Sequence, residues 1–251
     1  MDTQKSDLAS GSHFYTVWDR PTRWFHWINV LLVLSLLFVG LIMLFKSELG
    51  IQALEAKIAL KTVHVVIGYL FAINLIIRLI WGVMGNKYAR FSHMLPNKHF
   101  KHELASYKAD IDAGKSPQYL GHNPKGKLAV LAIMLLLITI MATGLIRAGT
   151  DIYYPPFGGS IQAYLAEDNV EPSSLKPYDQ TGINAEKANA MKPLKGLAGD
   201  IHLYAVYLLL LMIVLHVSAV IYAEVKRQPG IISAMFSGKK LIKGEPKDTE
   251  S

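Results

Sequence analysis

The sequence predicts an all-α membrane protein, a four-transmembrane-helix bundle. Two observations favour this fold class: 51% of the 251 residues are hydrophobic, and they are concentrated in four long stretches that lack acidic residues. Each stretch is about as long as a helix that crosses a hydrocarbon layer of roughly 30 Å. Apolar helices of soluble proteins are shorter and keep a polar stripe. We therefore place four spans in a single domain of residues 1–251, at about residues 24–45, 62–83, 128–146 and 201–223.

The first span follows a polar stretch with no small-residue cleavage pattern, and the second span comes soon after it. These features predict a retained membrane anchor rather than a signal peptide. The chain contains no cysteine, which excludes disulfides, thiolate-bound iron–sulfur clusters and covalent c-type heme attachment. Any cofactor must therefore be held by other side chains.

The net charge of +7 is distributed unevenly along the chain. Lys and Arg are concentrated in the connection 84–127 and after the fourth span, whereas the long connection 149–195 carries several acidic residues. The positive-inside rule predicts both termini and loop 84–127 on the cytoplasmic side of the membrane, and loop 149–195 on the outer side. Loop 149–195 is long enough to dock an external partner. We expect membrane lipid around the spans and no nucleic acid. Residues 99–113 have a helical pattern that fits either a helix on the inner membrane surface or a solvated one.

Four histidines lie inside the predicted spans, where ionisable side chains are costly and therefore indicate function. His202 and His216 lie fourteen residues apart in the fourth span, which corresponds to roughly 21 Å of helical rise on nearly the same face. His26 lies near the inner end of the first span, and His64 lies near the outer end of the second. Matching depth therefore pairs His26 with His216 on the cytoplasmic side and His64 with His202 on the outer side.

Two such pairs are what two six-coordinate b hemes require, since each iron binds one imidazole on either side. A zinc or copper site would instead bring all its ligands to one point. A lone histidine in a span is more often a hydrogen-bonded residue or a proton relay. Four histidines at matched depths favour two heme b groups, with iron ligands His26, His64, His202 and His216.

Three further residues are predicted to contact the hemes. Gly40 follows His26 by fourteen residues, and Arg78 follows His64 by the same spacing, so each lies level with the opposite heme. Gly40, and Gly68 one turn after His64, would let a macrocycle approach the backbone. Arg78 would pair with a propionate of the inner heme. Candidate propionate partners at the outer heme are Lys61, Arg147 and Lys195. Four basic residues could bind propionates of the inner heme, but the positive-inside rule explains them equally well: Arg20, Arg23, Lys226 and Arg227. The histidines predicted as surface or packing residues are His13, His93, His99, His102 and His122.

These residues resemble the bacterial cytochrome b561 group, which includes the b-type cytochrome subunits of membrane-bound nickel–iron hydrogenases. The resemblance implies a quinone-reactive diheme anchor of the bacterial inner (plasma) membrane that exchanges electrons with a periplasmic partner and has the ligand pairing given above. The GNKYARF segment and the long third connection resemble the hydrogenase type. The motifs are VWDRPTRWFHW at 17–27, HVVIGY at 64–69, RLIWGVMGNKYARF at 78–91, GHNPKG at 121–126 and HLYAVYLLLLMIVLH at 202–216.

The leading functional hypothesis is electron transfer between a periplasmic redox protein and the membrane quinone pool, as the electron-transfer subunit of an oxidoreductase. The partner is a hydrogenase or a c-type cytochrome; similar cytochromes serve thiosulfate or formate enzymes. One alternative is a superoxide:quinone oxidoreductase that acts alone and has a cationic basin over the outer heme. Another is a proton-coupled transporter that uses the intramembrane histidines as relays. No catalytic residue is predicted, and a quinone pocket has no compact signature to locate it.

Overall fold

The computed structural model describes residues 11–248, and most of them are helical. Four of the described helices are long and apolar enough to cross a membrane, which confirms the predicted helical fold with four spans. The long helices are α1 (Arg20–Leu44), α2 (Leu54–Met84), α5 (Pro124–Ile152) and α7 (Ala185–Lys226). The shorter elements are β1 (Ser12–Thr16), α3 (Phe91–Met94), α4 (Phe100–Asp112), α6 (Gly158–Leu165), α8 (Ile231–Ser237) and β2 (Lys239–Lys243).

The long helices extend beyond the predicted spans. Helix α2 begins at Leu54 rather than 62, and α7 begins at Ala185 rather than 201. A span predicted from hydropathy ends at the first charged residues. The helix itself continues through these residues, because their side chains reach water while the backbone hydrogen bonds are kept. Large apolar side chains along the helices are exposed, for example Leu31 and Phe38 at 66% each, which suits contact with lipid.

Three of the long helices begin at a side-chain cap. The Asp19 carboxylate accepts a hydrogen bond from the Thr22 amide before α1 (3.0 Å). The Asn123 side chain accepts one from Gly126 before α5 (2.7 Å). Asn184 does the same for the amide of Lys187 before α7 (3.0 Å). Asp and Asn satisfy amides that have no partner inside the helix, so these residues fix where the helices start.

The chain divides into two compact units, and each long helix contributes to both. Within the described residues, the terminal unit comprises 11–27, Ile76–Leu135 and 209–248. The internal unit comprises Ile28–Leu75 and Leu136–Leu208. His26, Arg78 and His216 therefore belong to the terminal unit, whereas the predicted pair His64 and His202 belongs to the internal unit.

In the terminal unit, strands β1 and β2 form an antiparallel two-stranded sheet. The Lys240 ammonium donates hydrogen bonds to the carbonyls of Tyr119, Leu120 and Gly121 at 2.7, 3.1 and 3.2 Å. The Asp248 carboxylate accepts hydrogen bonds from the amides of Leu120 and Gly121, both at 2.7 Å. These bonds attach the C-terminal segment to the turn that precedes α5. The small core below the sheet consists of Val17, Trp18, Leu120, Ala234 and Ile242.

The structure confirms a helix within residues 99–113, where α4 has no buried residue. Loop 149–195 of the internal unit is an ordered region rather than an irregular loop. It contains α6, a short 3-10 helix at Pro172–Ser174 and a bridge between Ala166 and Ile183. Its core consists of Ile161, Leu165, Ala166 and Leu175.

Candidate functional site

The internal unit brings His64 of α2 close to His202 of α7. Their ring centroids lie 6.4 Å apart, and the ring planes are tilted by 71°. An imidazole nitrogen binds a metal at about 2 Å, so two rings on opposite sides of one ion have centroids roughly 6 Å apart. The spacing of this predicted pair therefore suits one metal ion between the rings.

Two glycines lie against these imidazoles. A Cβ added at Gly40 of α1 would lie 3.7 Å from His64 Cε1, and one at Gly144 of α5 would lie 3.3 Å from His202 Cε1. Gly68 of α2 faces open space, with no atom within 4 Å of an added Cβ. Gly40 and Gly68 were predicted from spacing, whereas Gly144 was missed because nothing in the sequence links α5 to a histidine.

Thr143 of α5 makes the hydrogen bond that orients His202. Its hydroxyl oxygen lies 3.1 Å from His202 Nδ1 and donates to the Thr139 carbonyl at 2.7 Å. By contrast, the Nδ1 atom of His64 is buried without a hydrogen-bond partner. Sequence reasoning missed Thr143, since a hydroxyl on an apolar helix usually bonds only its own backbone.

The three cations predicted around the outer heme converge on one carboxylate, that of Asp151. Lys61 lies 2.6 Å from it, Arg147 2.8 Å and Lys195 3.1 Å. The Asp151 side chain is only 6% exposed. One negative charge among three positive charges leaves an excess of two positive charges. Sequence reasoning missed Asp151, although its position four residues after Arg147 is the spacing of a helical ion pair.

In the terminal unit, His26 of α1 and His216 of α7 are close enough to interact electrostatically. The His26 ring is partly buried, and the His216 ring is exposed. Among the described residues there is no cluster of three or more side chains suited to a metal ion. Pairs of histidines nevertheless fit heme, because the porphyrin itself supplies the remaining iron ligands.

Arg78 is a buried cation of the terminal unit, with 3% of its surface exposed. Its Nη2 donates to the Ala89 carbonyl at 3.1 Å and contacts the Met94 sulfur, whereas its Nη1 is buried without a hydrogen-bond partner. No described carboxylate lies within ion-pair distance of its guanidinium. A buried donor without a hydrogen-bond partner is costly, so this Nη1 atom fits an anionic group such as a heme propionate.

His122 packs on Trp18, with ring centroids 5.1 Å apart, as predicted for a packing residue. Burial of its ring, together with nearby cations such as Lys240, lowers the pKa of His122 to about 3. The imidazole is therefore neutral at physiological pH. Of the other four histidines outside the spans, His13, His99 and His102 are exposed and His93 is partly buried.

Four apolar helices with histidines paired between them define a helical membrane protein that suits a metal-containing cofactor. The chain matches the family of the prokaryotic cytochrome b561 over residues 17–238. It therefore belongs to that family, which confirms the resemblance found in the sequence. As a b-type cytochrome it binds heme b and takes part in electron transport.

Similar proteins are named as b-type cytochrome subunits of Ni/Fe-hydrogenases. The probable Ni/Fe-hydrogenase B-type cytochrome subunit of Rhizobium leguminosarum bv. viciae is 26% identical, over 90% of this chain and 89% of its own length. The protein of that name from Cupriavidus necator is 24% identical, over 96% of this chain and 93% of its own length. The probable Ni/Fe-hydrogenase 1 B-type cytochrome subunit of Escherichia coli K12 is 27% identical over 56% of this chain and 62% of its own length. No solved structure matches the chain.

Proposed function

We propose that this cytochrome holds two hemes b, one between His64 and His202 and the other between His26 and His216. The observation that carries the proposal is the 6.4 Å spacing of the His64 and His202 rings. Heme iron, when bound, supplies reversible one-electron chemistry. The chain contributes the positions of the ligands and the charges around them.

Charged side chains and glycines would complete each site. Arg78 would bind a propionate in the terminal unit, because its buried Nη1 has no hydrogen-bond partner. In the internal unit, the two excess positive charges around Asp151 would balance two propionates. Gly40 and Gly68 would leave space for the macrocycle, since an added Cβ meets only His64 at Gly40 and nothing at Gly68.

In the cell, the protein would transfer electrons between a periplasmic redox protein and the membrane quinone pool. The relatives named as Ni/Fe-hydrogenase B-type cytochrome subunits favour a hydrogenase as that partner over a c-type cytochrome. The charge distribution supports an inner-membrane orientation with both termini in the cytoplasm and loop 149–195 in the periplasm. The ordered fold of that loop suits a docking surface for the partner.

Heme content of purified variants tests the ligand assignment. Extraction with pyridine and alkali should give two protohemes per wild-type chain and one after His202→Ala or His216→Ala. His93→Ala changes a histidine outside both pairs and should retain two. Unchanged heme content in both ligand variants would disprove the pairing. Purification from membranes, followed by identification of bound proteins, tests the hydrogenase assignment.

The cationic cluster at Asp151 favours a second candidate function, superoxide:quinone oxidoreduction without a protein partner. The side chains of Lys61, Arg147 and Lys195 are 21%, 33% and 42% exposed, so their excess charge can attract an anion such as superoxide. Purified protein that reduces quinone with superoxide alone, at a rate that falls with salt, would establish this function. Quinone reduction that is no faster than in buffer without the protein would exclude this function. Membership in a cytochrome family favours either function over the proton-coupled transporter.

A further inference from the structure

The hydrogen bonds of Thr143 determine which nitrogen of His202 carries a proton. The Thr143 hydroxyl lies 2.7 Å from the Thr139 carbonyl oxygen and 3.2 Å from the Ile140 carbonyl oxygen. A hydroxyl has one hydrogen, and carbonyl oxygens only accept. Thr143 therefore donates its hydrogen to its own helix, and its oxygen has only lone pairs to offer the His202 Nδ1 atom at 3.1 Å. With the hydroxyl hydrogen directed at Thr139, this contact is a hydrogen bond when Nδ1 carries the hydrogen.

The neutral imidazole of His202 then has its free lone pair on Nε2. The neighbouring Gly144 lets the His202 ring lie close to α5. A Cβ atom at this position would lie 3.3 Å from His202 Cε1. Thr143 is itself buried, with 8% of its surface exposed, so water does not compete for the bond. Two consecutive residues of α5 thus act on His202: Thr143 bonds its Nδ1 atom, and Gly144 leaves room for its ring.

We propose that Thr143 is a positioning residue that presents Nε2 of His202 to the heme iron and makes this imidazole a stronger ligand than His64. The inference rests on the proposed function, because it takes His202 as an iron ligand. A histidine ligand that donates its second N–H to an acceptor is more basic, and a more basic ligand favours ferric iron over ferrous iron. Thr143 should therefore lower the midpoint potential of this heme.

The test compares Thr143→Val, which has the shape of threonine without the hydroxyl, with Thr143→Ser, which retains it. Thr150→Val is a matched control on the same helix, since the Thr150 hydroxyl is buried without a partner. His202→Ala identifies which of the two midpoint potentials belongs to this heme. Loss of such a supporting bond typically weakens metal binding 10-fold to 100-fold. The Ile140 carbonyl is a second acceptor near the ring, so we expect about 10-fold weaker heme retention on dilution.

Spectroscopic redox titration of the wild type and the four variants gives the decisive result. In Thr143→Val the potential of the His202 heme should move to a more positive value while the other heme stays unchanged. Thr143→Ser and Thr150→Val should both match the wild type. A valine variant with wild-type potential and heme retention overturns the inference, as does an equal shift in the serine variant. A wild-type protein without heme would instead overturn the proposed function, and circular dichroism identifies any variant that fails to fold.

Discussion

Replacing Asp151 by asparagine should destabilise the protein by about 3 kcal/mol. The carboxylate is 6% exposed and contacts three cationic groups at 2.6, 2.8 and 3.1 Å. Removing one partner of a buried ion pair costs about 3–5 kcal/mol. The three cations are partly exposed, so water screens some of their repulsion, and the lower end of that range applies. Asparagine retains the shape of the side chain and removes only its charge.

Thermal unfolding of the purified, heme-loaded protein in detergent measures this effect. For a chain of this size, about 3 kcal/mol corresponds to a melting temperature lower by roughly 6–12 °C. Asp112→Asn is the matched control, because Asp112 is exposed at the end of α4. Its effect should stay within about 0.5 kcal/mol. If Asp151→Asn melts at the temperature of the control, the carboxylate does not hold the three cations together and the reasoning is wrong.

Three other variants test separate contacts. Arg78→Met removes the buried guanidinium with the free Nη1, so a protoheme assay should detect loss of one heme; full occupancy at wild-type affinity would contradict this role. Gly144→Ala places a methyl group 3.3 Å from the His202 ring and should shift one heme potential, whereas Gly196→Ala meets no atom within 4 Å and should leave both potentials unchanged. The pKa of His122 is about 3 in the folded protein against 6.5 for an unperturbed histidine. Its contribution to stability is therefore complete above pH 6.5 and is lost as the pH falls towards 3. When thermal unfolding is measured at decreasing pH, the melting temperature of His122→Leu should fall less than that of the wild type. Equal decreases in the two proteins would refute this.

The long helices and the histidine pairs were predictable because they depend on regular spacing. Apolar stretches without acidic residues locate the helices, and the lengths of the spans place His64 and His202 at the same depth. The residues at which the helices begin were not predictable from hydropathy. Asn184 begins α7 well before the apolar stretch, because a cap acts on backbone amides whether or not lipid surrounds them.

Contacts between distant segments were the part that the sequence did not reveal. Thr143 and Asp151 lie on α5, which has no histidine to draw attention to it. Strands β1 and β2 are short and far apart in the chain, and neither has a strong alternation of polar and apolar residues. Only the fold brings Lys239–Lys243 beside Ser12–Thr16.

The pairing of β1 with β2 also limits how the chain can be inserted into a membrane. Two hydrogen-bonded strands must lie on the same side of the bilayer, so the segment between them must cross it an even number of times. β1 is synthesised before the first long helix and β2 after the last. The two strands can therefore pair only once all four long helices have been made and inserted. A chain that failed to insert one helix would keep its strands on opposite sides of the membrane, with their edges unpaired and free to pair with other chains.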